Sequence, residues 1–224
     1  MLTTVVFDAY GTLLDVDAAA RAAAAEPDAG RLAELWPALA RDWRLKQLEY
    51  TWLRAVAGHH ADFWQVTGDS LDWTLEAHGL TDEVLRARLM GLYRTLETYP
   101  EVPAALAQVR ERGLATAILS NGTPGMLADA VAAAGIADRL DRILSVEAAG
   151  IYKPAARVYA LVEAAFGCAR EEVLFVSSNG WDAAGAAGYG FRTLWVNRRG
   201  APVDRLHARP DHVGSDLTAL EALL

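Results

Sequence analysis

An aspartate follows a short apolar run near the start of the chain. The run Val5-Val6-Phe7 is rich in β-branched residues and is soon followed by Gly11, a pattern typical of a buried strand in a parallel sheet. Asp8 would then lie at the carboxyl end of that strand, where open α/β sheets bind ligands and backbone N–H groups can face an anion. From these residues alone, Asp8 could be a nucleophile, a metal ligand or a turn residue beside Gly11 and Thr12.

Small polar groups also follow three later predicted strands. Ser120-Asn121 follows the second strand, Lys153 comes shortly after the third, and Ser177-Ser178-Asn179 precedes Asp182 after the fourth. Parallel strands end at the same edge of a sheet, so we expect these groups to converge with Asp8 in one crevice. Two carboxylates, hydroxyl groups and a lysine in one place form a reacting site far more often than a chance packing arrangement.

The elements that would position these groups can be predicted from periodicity. From residue 103 onward, helical and strand patterns alternate, which predicts a parallel sheet with helices on both faces. The predicted strands of this part are residues 114–119, 142–146, 173–176 and 191–196. The predicted helices are residues 103–112, 124–135, 154–166 and 183–189, with a last helix that Ser215 caps.

Residues 17–99 show helical periodicity and no strand pattern, so we expect a helical cap inserted after the first strand. The later helices of this cap are predicted at residues 71–78 and 82–98, with Thr81 as the N-cap of the second. The predicted fold is a doubly wound, Rossmann-like α/β core of residues 1–16 and 100–224, with an all-helical cap of residues 17–99.

Composition limits the possible partners. The 224 residues carry a formal net charge of −8 without a basic block, which argues against nucleic acid and anionic membranes as partners. The single cysteine, Cys168, excludes a disulfide framework and a cysteine metal site. The first strand begins within a few residues of Met1, and no apolar run is long enough to span a membrane, so we expect a cytoplasmic protein.

Several motifs together make the chain resemble the haloacid dehalogenase superfamily and, within it, the L-2-haloacid, or (S)-2-haloacid, dehalogenases. The resemblance covers the whole length, and the cap motif Trp-Arg-Leu-Lys-Gln-Leu-Glu-Tyr-Thr-Trp at residues 43–52 is its most discriminating part. The other motifs are Phe-Asp-Ala-Tyr-Gly-Thr-Leu at residues 7–13, Leu-Ser-Asn-Gly at 119–122, Tyr-Lys-Pro at 152–154 with Tyr159, and Phe-Val-Ser-Ser-Asn-Gly-Trp-Asp at 175–182.

The phosphatases of this superfamily carry a second aspartate two residues after the nucleophile, and here that position is Tyr10. They also need an acidic loop for Mg²⁺, where this chain has Ser177 and Ser178 and retains only Asp182. A leaving halide needs no proton, so the resemblance implies a dehalogenase without metal or other cofactor. A magnesium-dependent small-molecule phosphatase is the alternative, and a catalytically idle protein on the same fold is a third possibility.

The resemblance implies hydrolytic dehalogenation of short (S)-2-haloalkanoic acids. Asp8 would attack the α-carbon from the side opposite the halogen, which gives a covalent ester and free halide. Water would then attack the ester carbonyl, so the product is the (R)-2-hydroxy acid. Lys153 would lie near Asp8 and keep it ionised.

The resemblance also assigns residues to the substrate. Its carboxylate would lie against Ser120 and the backbone N–H groups of Ala9 and Tyr10. The departing halide would be bound by Arg44 from the cap and Asn121 from the core. An apolar wall would be formed by Phe63 and Trp181.

Two features of the site stay open from the sequence. Asp182, held by Thr12, Ser177 and Asn179, resembles the group that positions or activates the hydrolytic water, although it could be a structural carboxylate. Tyr159 could be a packing residue that also bonds to the site.

Substrate size is open as well. Leu45 and Gly180 depart from otherwise matching motifs, and a fluoroacetate-type defluorinase is a further alternative. Family members are commonly homodimers, so the resemblance implies a homodimer.

Overall fold

The computed structural model describes residues 1–27 and 29–224. Within these residues, six parallel strands form one sheet in the order β3-β2-β1-β4-β5-β6, which confirms the doubly wound α/β class. The strands are β1 (Thr4–Phe7), β2 (Ala115–Ser120), β3 (Arg142–Ser145), β4 (Val173–Ser177), β5 (Arg192–Val196) and β6 (His212–Gly214). Because β1 lies between β2 and β4, the strand order reverses beside Asp8, and ligands of such sheets bind at that reversal.

Helices precede or follow the strands along the described chain. They are α1 (Ala18–Ala24), α2 (Leu32–Ala57), α3 (Phe63–Ala77), α4 (Glu83–Leu92), α5 (Val102–Glu111), α6 (Pro124–Ala133), α7 (Ala156–Phe166) and α8 (Gly180–Tyr189). The first four lie between β1 and β2 in the chain, as expected for a helical insertion, and α2 packs mainly on α3. The exact split into residues 1–16, 17–99 and 100–224 stays a prediction.

The chain leaves and re-enters the sheet region at adjacent points. Leu14 and Thr98 form an antiparallel bridge, and the Tyr99 N–H donates to the Leu13 carbonyl at 3.1 Å. The Asp15 N–H donates to the Glu97 carbonyl at 2.9 Å. These bonds hold the two connections side by side, so the helical insertion is anchored directly beyond the loop that carries Asp8.

The prediction for the second half of the insertion was wrong at three boundaries. Helix α3 begins at Phe63 rather than at residue 71, because its buried face includes Thr67 and Ser70, which interrupt the apolar pattern. Both hydroxyl groups bond to backbone carbonyls of their own helix, which makes their burial tolerable. Asp82, not Thr81, caps α4, and α4 ends at Leu92 instead of reaching residue 98.

The carboxyl-terminal end also differs from its prediction. Strand β6 was missed because it has three residues and Val213 is exposed, so it lacks the apolar run of a buried strand. Asp211 accepts hydrogen bonds from the backbone and hydroxyl of Thr193, which holds the segment before β6 to β5. The last element is a 3-10 segment, Leu217–Ala222, that Asp216 caps, rather than an α-helix that Ser215 caps.

The strands nearest the predicted site lie in the core. All residues of β1 and β4 are buried, which agrees with a parallel sheet covered on both faces.

No described helix has the length and apolar character needed to cross a membrane.

Candidate active site

The carboxyl ends of the central strands bring the predicted polar residues together. Asp8 follows β1, Ser177 ends β4, and Lys153 lies between β3 and α7. The loop after β1 turns back at Gly11, which has a φ of 89°, and an added Cβ there would lie 3.1 Å from Ser178 Oγ. The loops after β1 and β4 are therefore closely packed over the strand ends.

Three side chains hold the Asp8 carboxylate. Thr12 Oγ1 donates to Asp8 Oδ2 at 3.0 Å, and Asn179 Nδ2 donates to the same oxygen at 2.9 Å. Lys153 Nζ donates to Asp8 Oδ1 at 3.1 Å. Asp8 is only 6% exposed, so these charge-assisted bonds replace the water that a surface carboxylate would bind. The oxygen Oδ2 has two donors and Oδ1 has one.

The Lys153 ammonium also bonds to a second carboxylate. Its Nζ donates to Asp182 Oδ2 at 2.9 Å, and Lys153 is 1% exposed. Burial alone would lower the pKa of Lys153, but the attraction of Asp182 and then Asp8 outweighs burial and raises that pKa. Lys153 is therefore the cation that balances two buried carboxylates.

Asp182 is fully buried and accepts from three donors. Besides Lys153, these are the Ser177 hydroxyl at 3.1 Å and the Tyr159 hydroxyl at 2.8 Å. Burial raises the pKa of Asp182, and the Lys153 ammonium offsets part of that rise. Burial and then Asp182 raise the pKa of Tyr159, so its hydroxyl keeps the proton that it donates. Tyr159 thus both packs in the core and bonds to the site.

Two of the predicted partners of Asp182 are wrong. The side chains of Thr12 and Asn179 bond to Asp8 instead, and of the three predicted side chains only that of Ser177 bonds to the Asp182 carboxylate. Asn179 meets Asp182 through the backbone alone, where its carbonyl accepts the Asp182 N–H at 3.0 Å. The reason is the direction of Asp182, which lies in the first turn of α8 and faces the hydroxyl of Tyr159 on α7. Thr12 is held in the neighbouring loop because its Oγ1 accepts the Ser178 N–H at 2.8 Å.

The backbone after Asp8 presents unpaired donors. In the described part of the chain, the N–H groups of Ala9 and Tyr10 have no acceptor, while the Ala9 carbonyl accepts from the N–H groups of Thr12, Leu13 and Leu14. Ser120 is fully buried, and its Oγ accepts the Gly122 N–H at 3.1 Å. Adjacent free N–H groups form a concavity that suits a small anion.

Arg44 and Asn121, the predicted halide ligands, each form hydrogen bonds to neighbouring residues. Arg44 Nη1 donates to Gln47 Oε1 at 2.7 Å, and Arg44 Nη2 donates to the Tyr10 carbonyl at 3.3 Å. Asn121 Oδ1 accepts the backbone N–H of Lys153 at 3.2 Å. This bond orients the Asn121 amide so that its Nδ2 faces away from that backbone N–H. Arg44 therefore links the helical insertion to the loop after β1.

The two predicted wall residues have different surroundings. Phe63 is buried, with its ring centroid 5.8 Å from that of Tyr10 and 6.2 Å from that of Tyr152. Trp181 is partly exposed and lies edge to face against Trp52 of α2 at 5.4 Å. Hydrogen bonds between described residues do not join Trp181 or Ser120 to the Asp8–Lys153–Asp182 network.

Sequence reasoning missed Gln47 and Tyr93. Gln47 contacts Arg44, and the Tyr93 ring stacks on that of Tyr10 at a centroid distance of 5.3 Å. Gln47 could have been found, because a residue three positions after Arg44 on a helix shares its face. No sequence signal pointed to Tyr93, which follows α4 directly.

The carboxylate oxygens of this site do not suit a Mg²⁺ ion, which related phosphatases hold. Both Asp8 oxygens and both Asp182 oxygens accept from side-chain donors, and the Lys153 ammonium lies between the two carboxylates. A divalent cation bound to both carboxylates would have to displace Lys153 or tolerate its charge at close range.

Comparisons with known proteins place the chain among hydrolases. A family model described as haloacid dehalogenase-like hydrolase matches residues 2–190. The (S)-2-haloacid dehalogenase 1 of Pseudomonas sp. strain CBS-3 is 43% identical over 98% of this chain and 95% of its own length. The (S)-2-haloacid dehalogenase of Pseudomonas sp. strain YL is 41% identical over 98% of this chain and 92% of its own length.

A similar solved structure is that of the L-2-haloacid dehalogenase from Xanthobacter autotrophicus with chloropropionic acid covalently bound. Its TM-score is 0.87 at 41% sequence identity, and the match covers 100% of this chain and 98% of that one.

Replacing Lys153 with methionine leaves two buried carboxylates without their cation. We expect Lys153→Met to lower the free energy of unfolding by about 3–5 kcal/mol near neutral pH. Burial raises the pKa of Asp182, so its ionised form opposes folding and this opposition grows as pH rises through that pKa. The loss in Lys153→Met should therefore be smaller at about pH 5 than near neutral pH, because Asp182 binds a proton more readily at the lower pH.

Urea unfolding at both pH values measures this loss. Lys46→Met is the control, because Lys46 pairs with the exposed Glu49 and its removal should cost less than about 1 kcal/mol at either pH. A loss in Lys153→Met that is constant or larger at the lower pH would contradict the charge balance described for the site.

Proposed function

Because the chain belongs to the haloacid dehalogenase-like hydrolases, we propose that it hydrolyses the carbon–halogen bond of short (S)-2-haloalkanoic acids and releases (R)-2-hydroxy acids. The observation that carries this proposal is the state of Asp8, a buried carboxylate oriented by Thr12 and Asn179 and balanced by Lys153. The position two residues later, where a phosphatase needs its proton donor, is Tyr10, and burial raises the pKa of that hydroxyl.

In the first step, a carboxylate oxygen of Asp8 attacks the α-carbon of the substrate. A carboxylate offers about two lone pairs on each oxygen. Thr12 and Asn179 occupy those of Oδ2, whereas Lys153 occupies one on Oδ1, so we assign Oδ1 as the nucleophile. The bond from Oδ1 to carbon forms while the carbon–halogen bond breaks, and the halide leaves with the bonding electrons. Attack from the side opposite the halogen inverts that carbon.

In the second step, water adds to the ester carbon of Asp8 and the bond from that carbon to Oδ1 breaks. The product alcohol keeps Oδ1, and Asp8 regains a carboxylate with one oxygen from water. Negative charge develops on Oδ2 during this addition, where Thr12 and Asn179 already donate. We assign the removal of a proton from the water to Asp182, whose raised pKa favours base catalysis, with Tyr159 and Ser177 holding it. Asp182 returns this proton to Oδ1 as the alcohol leaves, and the second proton of the water is released to solvent.

Substrate binding uses the neighbouring donors. We assign the substrate carboxylate to the free N–H groups of Ala9 and Tyr10 together with Ser120. The departing halide goes to Arg44 and Asn121, with Phe63 and Trp181 as apolar surroundings. The residues support chemistry without a metal, because the cation at Asp8 is the Lys153 ammonium.

We further propose that the protein is cytoplasmic and that it forms a homodimer. Support for the dimer comes from exposed apolar side chains on α2, namely Leu45, Leu53 and Val56, which would be covered by a second copy. A sedimentation mass of one 24.2 kDa chain would contradict the dimer.

Halide release from L- and D-2-chloropropionate in excess EDTA tests the proposed reaction. We expect chloride from the L form alone, as the names of the (S)-2-haloacid dehalogenases that the chain resembles imply. EDTA should not prevent this release, because the cation beside Asp8 is the Lys153 ammonium. The product should be the D-2-hydroxy acid by chiral chromatography.

No release from either form would contradict the proposal, and fluoroacetate and then phosphate esters with Mg²⁺ would be tested next. Release that EDTA abolishes and Mg²⁺ restores would favour a metal-dependent enzyme.

Replacing Asp182 with asparagine separates the two steps. We expect Asp182→Asn to release about one halide per Asp8 in a burst and then to turn over roughly 10²–10⁴-fold more slowly, because the ester forms but water is not activated. Rapid-quench halide assays measure both phases. Asp69→Asn, which removes a carboxylate paired with Arg54 outside the network, serves as the control. Full multiple-turnover activity, or equal slowing of both phases, would show the water-activating role to be wrong.

A further inference from the structure

Gln47 is a buried polar residue on the same face of α2 as Arg44. Only 1% of it is exposed, and both polar atoms of its amide form hydrogen bonds. Gln47 Oε1 accepts from Arg44 Nη1 at 2.7 Å and from the Tyr93 hydroxyl at 3.2 Å, while Nε2 donates to Thr67 Oγ1 at 2.8 Å. A buried amide needs such partners, so its orientation is coupled to theirs.

Thr67 determines which end of the amide faces Arg44. The single Thr67 hydroxyl proton is donated to the Phe63 carbonyl at 2.6 Å, so Thr67 Oγ1 can only accept from Gln47. The amide nitrogen of Gln47 must therefore face Thr67, and its oxygen must face Arg44. A flipped amide would direct N–H donors at the guanidinium and leave buried donors without partners.

Arg44 is consequently held at two points. Its Nη1 is fixed by Gln47 within the insertion, and its Nη2 reaches the Tyr10 carbonyl in the loop after β1. A guanidinium has five N–H donors in a rigid plane, so fixing two of them orients the others. The series of hydrogen bonds from Phe63 through Thr67 to Gln47 thus sets the direction of the remaining Arg44 donors.

We infer that Gln47 is a positioning residue for Arg44 in the halide-release step. This inference rests on the proposed function, in which Arg44 binds the departing halide. Halide leaves only when the ester forms, so Gln47 should influence ester formation and leave ester hydrolysis unchanged. Chloride is a poorer leaving group than bromide and needs more stabilisation, so its release should depend more strongly on Gln47.

The test compares Gln47→Met with the unchanged protein on L-2-chloropropionate and L-2-bromopropionate. Methionine has a similar volume but cannot accept from Arg44 strongly. We expect chloride release in a single turnover to slow roughly tenfold, below the roughly 10²–10³ typical for losing a whole preorganised donor. Bromide release should slow less, so the chloride-to-bromide rate ratio falls. Mass spectrometry of the quenched Asp8 peptide should show an unchanged rate of ester decay.

Thr51→Val is the matched control, because Thr51 is also fully buried on α2 and its hydroxyl donates only to the Leu48 carbonyl at 2.6 Å. Its rate ratio should match that of the unchanged protein. Thr67→Val is a second variant that keeps Gln47 but removes the group that orients it, and its rate ratio should fall in the same direction. If Gln47→Met does not fold, the rate ratio of Thr67→Val tests whether the orientation of Gln47 affects halide release.

Equal slowing with both halides, slower ester decay, or no slowing in a folded variant would overturn the role of Gln47. None of these results would contradict the proposed function. If the unchanged protein releases no halide from either substrate, the proposed function fails and this inference fails with it.

Discussion

The position of the Lys153 ammonium between Asp8 and Asp182 is the interaction on which the site depends. Two carboxylates and one cation are buried together, so one negative charge remains uncompensated and must be stabilised by hydrogen bonds. Thr12 and Asn179 provide them for Asp8, and Ser177 and Tyr159 provide them for Asp182. The environment of each carboxylate differs accordingly, and unequal environments let two similar groups perform different tasks.

The fold is what allows this arrangement. Strands β1 and β4 are neighbours at the point where the strand order reverses, so their following loops meet over one crevice. The helical insertion leaves from the first of these loops, and the bridge between Leu14 and Thr98 brings it back beside its starting point. Arg44 can therefore reach the Tyr10 carbonyl from α2, and the site contains groups from both the sheet edge and the insertion.

Much of this could be predicted from local patterns, and the remainder depends on side-chain direction. The apolar run before Asp8 and the alternation after residue 103 correctly indicated a doubly wound sheet, because buried parallel strands and covering helices have distinct periodicities. The start of α3 was missed because Thr67 and Ser70 are buried through bonds to their own backbone. Spacing could not tell which carboxylate Thr12 and Asn179 would contact, since loop side chains can point to either.

The most direct test of the account is a single turnover with excess enzyme in water labelled with ¹⁸O, using L-2-chloropropionate. If Asp8 Oδ1 attacks carbon, the first 2-hydroxypropionate formed carries no label, and the peptide containing Asp8 gains one ¹⁸O atom. If water attacked the carbon directly, the product would be labelled in that first turnover and Asp8 would not, and the covalent role of Asp8 would be contradicted.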